Sequence, residues 1–194
     1  MYFKSKGGIA LSIFKLIPGV EIPNTSEIKR EYQQSGNNIT LNLSAGDYTK
    51  FFKSVVDLLP EPVFFFIEIP KDEGEGYETY YLDNCTTSVA KAILKRYGGI
   101  LFSDGVIRFG FGSHTAEEEI FMQEYQLLSI YSGTLQKFAK LVEKLGYTKT
   151  DQLTTAWDVL NEENVGKCES VDFEDESYLD IIEQLQELGL YKAE

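Results

Sequence analysis

The chain has one histidine, one tryptophan and two cysteines among its 194 residues, and it is short of basic side chains. His114 alone cannot make a zinc site built from histidines. Cys85 and Cys168 have neither metal-binding nor redox spacing. With no export signal to read, both are expected as reduced thiols. No apolar run approaches the roughly 20 residues needed to span a bilayer. The best leader candidate, Ile9 to Ile17, is interrupted by Lys15 and followed by Pro18-Gly19 rather than by small cleavage-site residues. The expected location is therefore the cytoplasm. Nothing in the sequence calls for a cofactor or a metal.

The shortage of positive charge is uneven. Asp and Glu number 31 against 18 Lys and Arg, for a net charge of -13. Residues 151–194 carry 13 acids and 2 bases, while residues 1–150 carry 18 and 16. A field of one sign repels nucleic acid and anionic membranes, so neither is expected as a partner. It attracts basic proteins.

What the chain does have is aromatic bulk: 13 Phe and 12 Tyr, with 43% hydrophobic residues overall. That supports a packed core despite the charge. The length fits one domain, 1–194, with an acidic C-terminal segment, 151–194, ending in a helix.

Local patterns give the elements. Tyr2 to Lys4 and Ile9 to Ile17, separated by Gly7-Gly8, are apolar without a decisive period. Residues 24–38 read as a polar loop. Ile39 to Leu43 alternates like a half-buried strand, and Ser44 can cap a helix over 46–59 whose inner face is Tyr48, Phe51, Phe52, Val55, Val56 and Leu59. Val63 to Ile67 is continuously apolar, as a central strand covered on both faces would be. Tyr77 to Leu82 is the next strand. Thr86 or Thr87 caps a helix over 87–97 ending at Gly98. Asp104-Gly105 between apolar stretches predicts a tight hairpin. Glu119 to Tyr131 reads as one long strand, followed by a helix over 133–145 opened by Ser132 or Thr134 and ended by Gly146. Thr154 to Leu160 is a short helix, and Val165 to Phe173 holds a short strand. The last helix begins near Asp175, with Tyr178, Ile181, Ile182, Leu185 and Leu188 inward. Residues 43–58 and 131–145 echo each other, either as a duplicated strand-helix unit or through common helix-start chemistry. The fold class is thus α+β (mixed α/β). It should hold one largely antiparallel sheet of about five to seven strands, with at least three amphipathic helices packed on it.

Chemistry is thinly signalled. Phe109-Gly-Phe-Gly-Ser-His114 lacks the third glycine of a dinucleotide fingerprint and the lysine of a P-loop. Its glycines fit a strand crossed by aromatic rings. His114 could pair with Cys85 or Cys168, and carboxylates abound for a hydrolase, but no Gly-x-Ser-x-Gly elbow exists. Trp157 is either core or an interface anchor. Asp175 and Glu176 suit the start of a helix.

From Glu119 to Asn164 the order is strand, Ser-Gly turn, amphipathic helix, then Thr154-Thr-Ala-Trp-Asp158. That texture resembles the immunity proteins of bacterial polymorphic-toxin systems. The resemblance implies a cytoplasmic protein that binds and masks a toxin. The expectation is a non-enzymatic acidic module that meets a basic protein partner through Trp157, Asp158, Glu162, Glu163, Glu169, Asp172 and Glu174. The alternatives are a subunit of a larger assembly, or a small hydrolase-like enzyme using carboxylates or a Cys/His114 pair.

Overall fold

The computed structural model describes residues 13–193. The expectations for Tyr2 to Lys4, Gly7-Gly8 and the first part of Ile9 to Ile17 lie outside them. After a two-residue strand β1 (Val20–Glu21), the chain builds hairpins, each followed by a helix. Strands β2 (Glu31–Ser35) and β3 (Asn38–Asn42) lead to α1 (Tyr48–Val56). Strands β4 (Val63–Pro70) and β5 (Tyr77–Cys85) lead to α2 (Thr87–Leu101). Strands β6 (Arg108–Ser113), β7 (Glu118–Met122) and β8 (Leu127–Tyr131) lead to α3 (Gln136–Lys144). The chain then runs through β9 (Thr148–Thr150), the single turn α4 (Ala156–Val159), β10 (Lys167–Cys168), α5 (Tyr178–Gln186) and β11 (Tyr191–Lys192).

The class is mixed α+β, as the patterns indicate. The sheet has nine strands rather than five to seven, in the order β11-β5-β4-β6-β7-β8-β3-β2-β9. Every pairing is antiparallel except β2 with β9. The strands that sequence patterns miss are at the ends. β2, β9 and β11 are short and polar, and they join a sheet whose centre is already specified. Short polar edge strands also make poor templates for a second chain. The separate pair β1·β10 joins the N-terminal region to the acidic segment.

Five other expectations give way for local reasons. Residues 24–38 are not all loop: β2 forms there with Tyr32 as its only buried residue, so it carries no apolar alternation. Asp104-Gly105 is not a hairpin, because α2 continues through Gly98 and Gly99 to Leu101, and Ile100 and Leu101 are buried on a helix. Residues 119–131 are two strands, not one. The break is at Tyr125 and Gln126, both at positive φ without being glycine. The last helix starts at Tyr178, where Ser177 and Asp180 form a reciprocal cap, and Leu188 is 68% exposed. Ser44 precedes a single 3-10 turn, and its hydroxyl accepts from the Lys15 N–H instead of capping. Thr86 does cap α2, accepting from the Val89 N–H.

Helices α1, α2, α3 and α5 lie on one face of the sheet. Phe52 of α1 packs against Phe109 and Phe111 of β6, and α2 packs on α1, β4, β5 and α5. Phe65, Ile67, Ile120, Leu128, Ile130, Ile39 and Leu41 point into this layer and are at most 0% exposed. No membrane-crossing helix exists among the described residues: none is long and apolar enough.

The other face carries no large helix among the described residues. Register places Tyr81, Phe66, Gly110 and Phe121 in one row across β5, β4, β6 and β7. Phe64, Gly112, Glu119 and Tyr131 form the next row. The two glycines make room for rings. A Cβ on Gly110 would sit 2.4 Å from Phe66 and 2.2 Å from the Ile120 carbonyl oxygen; one on Gly112 would sit 2.3 Å from Phe64. The rings thus lie flat over bare backbone, as the sequence pattern suggests. Gly110→Ala should lower stability by about 2–3 kcal/mol, because the obstacle includes backbone that cannot rotate away. Urea unfolding with an unchanged m-value checks this.

Candidate functional site

The acidic segment is docked on the body. Asp104, at the end of α2, is 3% exposed. One of its oxygens accepts from the Val106 and Ile107 N–H groups at 2.8 and 3.0 Å. The other accepts from the Ser170 hydroxyl and the Val171 N–H at 2.8 and 3.0 Å. Beside it three stretches of backbone meet: Gly19 donates to Ser103, Glu169 to Gly19, and Gly105 to Glu169. A Cβ on Gly105 would lie 1.8 Å from the Gly19 carbonyl oxygen, so only glycine fits. Further along, the Phe173 ring lies over Gly99 of α2, and Arg96 pairs with Glu176.

This docking decides what each predicted contact residue can do. Trp157 is not core. It is 53% exposed, its ring set edge-on against Tyr125 at 4.9 Å. The left-handed backbone at Tyr125 turns that ring outward, where Leu160 and Gly166 close around it. Asp158 is committed to structure: it accepts from the Thr155 N–H and hydroxyl, both at 2.7 Å, which holds its carboxyl below its usual range. Glu162, Glu163, Glu169, Asp172 and Glu174 are exposed and form no ion pair among the described residues. With Trp157 they make an acidic ridge in sequence, its exposed residues interspersed with half-buried ones and with Lys167, which pairs with Glu21. The two acids expected near the helix start both precede its cap, Ser177: Asp175 has φ +64° and Glu176 pairs with Arg96.

Among the described residues neither cysteine nor Ser113 hydrogen-bonds to His114, whose Nε2 lies near Asp83 instead. Ser113 bonds to Thr115, not to His114. Cys85 is buried with its thiol against the Leu82 and Asp83 carbonyls, and burial pushes it up. Cys168 lies against Tyr125, and its thiol is also pushed up, again first by burial. Raised thiols are poor nucleophiles. Among the described residues no cluster of three or more His, Cys, Asp or Glu is arranged to hold a metal ion.

Around His114 the structure opens a feature that sequence patterns do not reveal. A groove of about 600 Å³ lies on the helix-free face at the end of the sheet. His114 stacks on Phe64 at 4.4 Å, with its Nε2 3.3 Å from Asp83. Tyr191 donates to Asp83 at 2.5 Å. Tyr131 and Tyr191 are 43% and 49% exposed. The three consecutive glutamates diverge here. Glu117 turns the β6–β7 loop at φ +51°. Glu118 is buried and accepts from Ser132, Thr134 and Lys137. Glu119 is half-buried in the groove, and its carboxylate has no hydrogen-bond or ion-pair partner among the described residues. Burial first, then the negative charge of Glu68, push its carboxyl above the usual range.

No protein-family model, curated protein sequence or solved structure matches the chain.

Two outcomes test this geometry. Asp104→Ala should cost about 3 kcal/mol, since it strands buried N–H donors, and it should strip hydrogen-exchange protection from Val171. Glu119→Gln should raise stability at pH 7. The fold disfavours the charged form of Glu119, through burial and the nearby charge of Glu68. Its folded pKa is raised, so the gain should fade as pH falls through the folded pKa and vanish below the unfolded one, where both states hold a neutral carboxyl. Urea midpoints of both proteins at pH 7 and below pH 4 measure it.

Proposed function

We propose that the protein is a non-enzymatic binding module that occludes a basic protein partner in the cytoplasm. The partner class is a toxin of the kind that immunity proteins mask. The observation that carries this reading is the ridge of unpaired carboxylates from Glu162 to Glu174, held on a folded body beside an exposed tryptophan. A fixed ridge steers a basic surface into register and accelerates encounter without ordering a loose tail. Trp157 is the anchor: a large ring already braced by Tyr125 loses little freedom when covered. Short polar sheet edges favour this reading over self-assembly through strand pairing.

The experiment uses the whole chain as bait in lysate of its own source, washed at low and then high salt. The protein released by salt is identified and its association followed by stopped flow. Replacing Glu162, Glu163 and Glu169 with Gln, Glu174 with Gln and Asp172 with Asn should slow association about tenfold at low salt and flatten its salt dependence. Trp157→Ala should speed dissociation, costing about 2 kcal/mol. An on-rate indifferent to the five neutralisations would overturn the steering role.

A further inference from the structure

The helix-free face already shows how it holds a cation. Arg108 of β6 lies over the Tyr77 ring at 3.5 Å, pairs with Glu68 at 2.6 Å and reaches Glu124 at 3.5 Å. Arg30 is held similarly, over the Tyr147 ring at 4.6 Å and paired with Asp47 at 2.5 Å. Each guanidinium thus has an aromatic face and a carboxylate, the combination that suits a planar, weakly hydrated cation.

The groove offers the same two components with neither a lysine nor an arginine lining it. Its rings are Phe64, Tyr81, Tyr131 and Tyr191, and its carboxylates are Asp83, Glu117, Glu118 and Glu119, of which Glu118 is already paired with Lys137. His114 is its only nitrogen base, and that side chain is 71% exposed. Glu119 lies opposite Tyr131 across the β7·β8 pairing, as Glu68 lies opposite Arg108 across β4·β6.

We infer that this groove receives an arginine side chain of the basic partner, its guanidinium against the Tyr131 ring and paired with Glu119, the residue opposite Tyr131. The inference deepens the proposed function and rests on it, adding a second contact site remote in sequence from the acidic ridge. Glu119 gives an independent argument. A half-buried carboxylate near Glu68, with no partner of its own, costs the free protein stability. A bound guanidinium removes that cost, so the residue acts in the complex and not in the fold.

The probe is Nα-acetyl-arginine amide, added at low ionic strength to the isotopically labelled full chain and followed by amide NMR. The neutral near-isostere acetyl-citrulline amide is the control. Saturable shifts of Asp83, His114, Glu119, Tyr131 and Tyr191 are expected with arginine at roughly millimolar concentration, and much smaller ones with citrulline. Glu119→Gln should weaken this binding about tenfold while its thermal midpoint at pH 7 does not fall. Tyr131→Leu should weaken it while keeping the sheet. Equal shifts with citrulline would overturn the cation. Shifts confined to Glu162 through Glu174 would overturn the groove while leaving the ridge and the proposed function standing. Absence of any groove shift would also overturn it.

Discussion

The Asp104 carboxylate, buried where α2 turns into β6, accepts from four donors that belong to two distant stretches of chain. Three of the four are backbone amides and the fourth is a hydroxyl. That choice matters in a protein with a net charge of -13. Had the acidic segment been tied down mainly by salt bridges, its own carboxylates would have been consumed in the docking. Neutral donors satisfy Asp104 and leave the segment's charge unspent. The glycine contact beside it, Gly19 against Gly105, lets the backbones approach closely enough for the bonds between Gly19, Ser103, Gly105 and Glu169 to form. Arg96 with Glu176 and Lys167 with Glu21 add ion pairs close by, and both are partly exposed, where such pairs contribute little. The ridge is therefore preorganised by hydrogen bonding while its electrostatics stay available.

A second buried polar group does comparable work in the turn between β7 and β8. The Gln126 side-chain amide accepts from the Ile17 N–H and donates to the Lys15 and Leu43 carbonyls. It can do so because Gln126 sits at φ +63°, which swings its side chain inward as Tyr125 swings outward. One strained pair of residues thus fixes the N-terminal region to β3 and, at the same time, supplies the platform for Trp157. Unlike a flexible hairpin tip, this turn is joined on both sides to buried structure, so Trp157 inherits the rigidity of the sheet.

Much of this fold is legible as pattern. The faces of α1 and α3, the doubly buried β4 and the glycines of β6 all follow from period and crowding, because each depends on neighbours close in sequence. What escapes depends on distant residues. β2 has no alternation of its own and exists because β3 and β9 flank it. Tyr125 and Gln126 adopt a backbone that glycine or asparagine would have advertised. Ile100 and Leu101 are as apolar in a helix as in a strand. The ridge can be read directly, since a run of acids near a tryptophan is a linear feature; whether that tryptophan is buried is not linear, and its exposure follows from Tyr125. The groove is wholly tertiary. Its walls come from β4, β5, β7, β8, β11 and the β6–β7 turn, and only the nine-stranded order brings Tyr191 beside Asp83.

The two candidate contacts lie toward opposite ends of β7. Glu119 stands near one end of β7, and the Tyr125 turn that braces Trp157 follows its other end. Four residues of strand separate Glu119 from Gln123, about 13 Å. A protein interface of ordinary size covers roughly 800 Å² on each side and so spans about 30 Å. On the proposed reading, a single basic partner must therefore span β7 and reach round its end, because residues 173–176 pack on α2. Between them the chain places its own Arg108, clamped by Tyr77, Glu68 and Glu124. That guanidinium offsets one of the two carboxylate charges beside it and is itself already satisfied, so a partner's basic groups gain most at the unpaired carboxylates on either side.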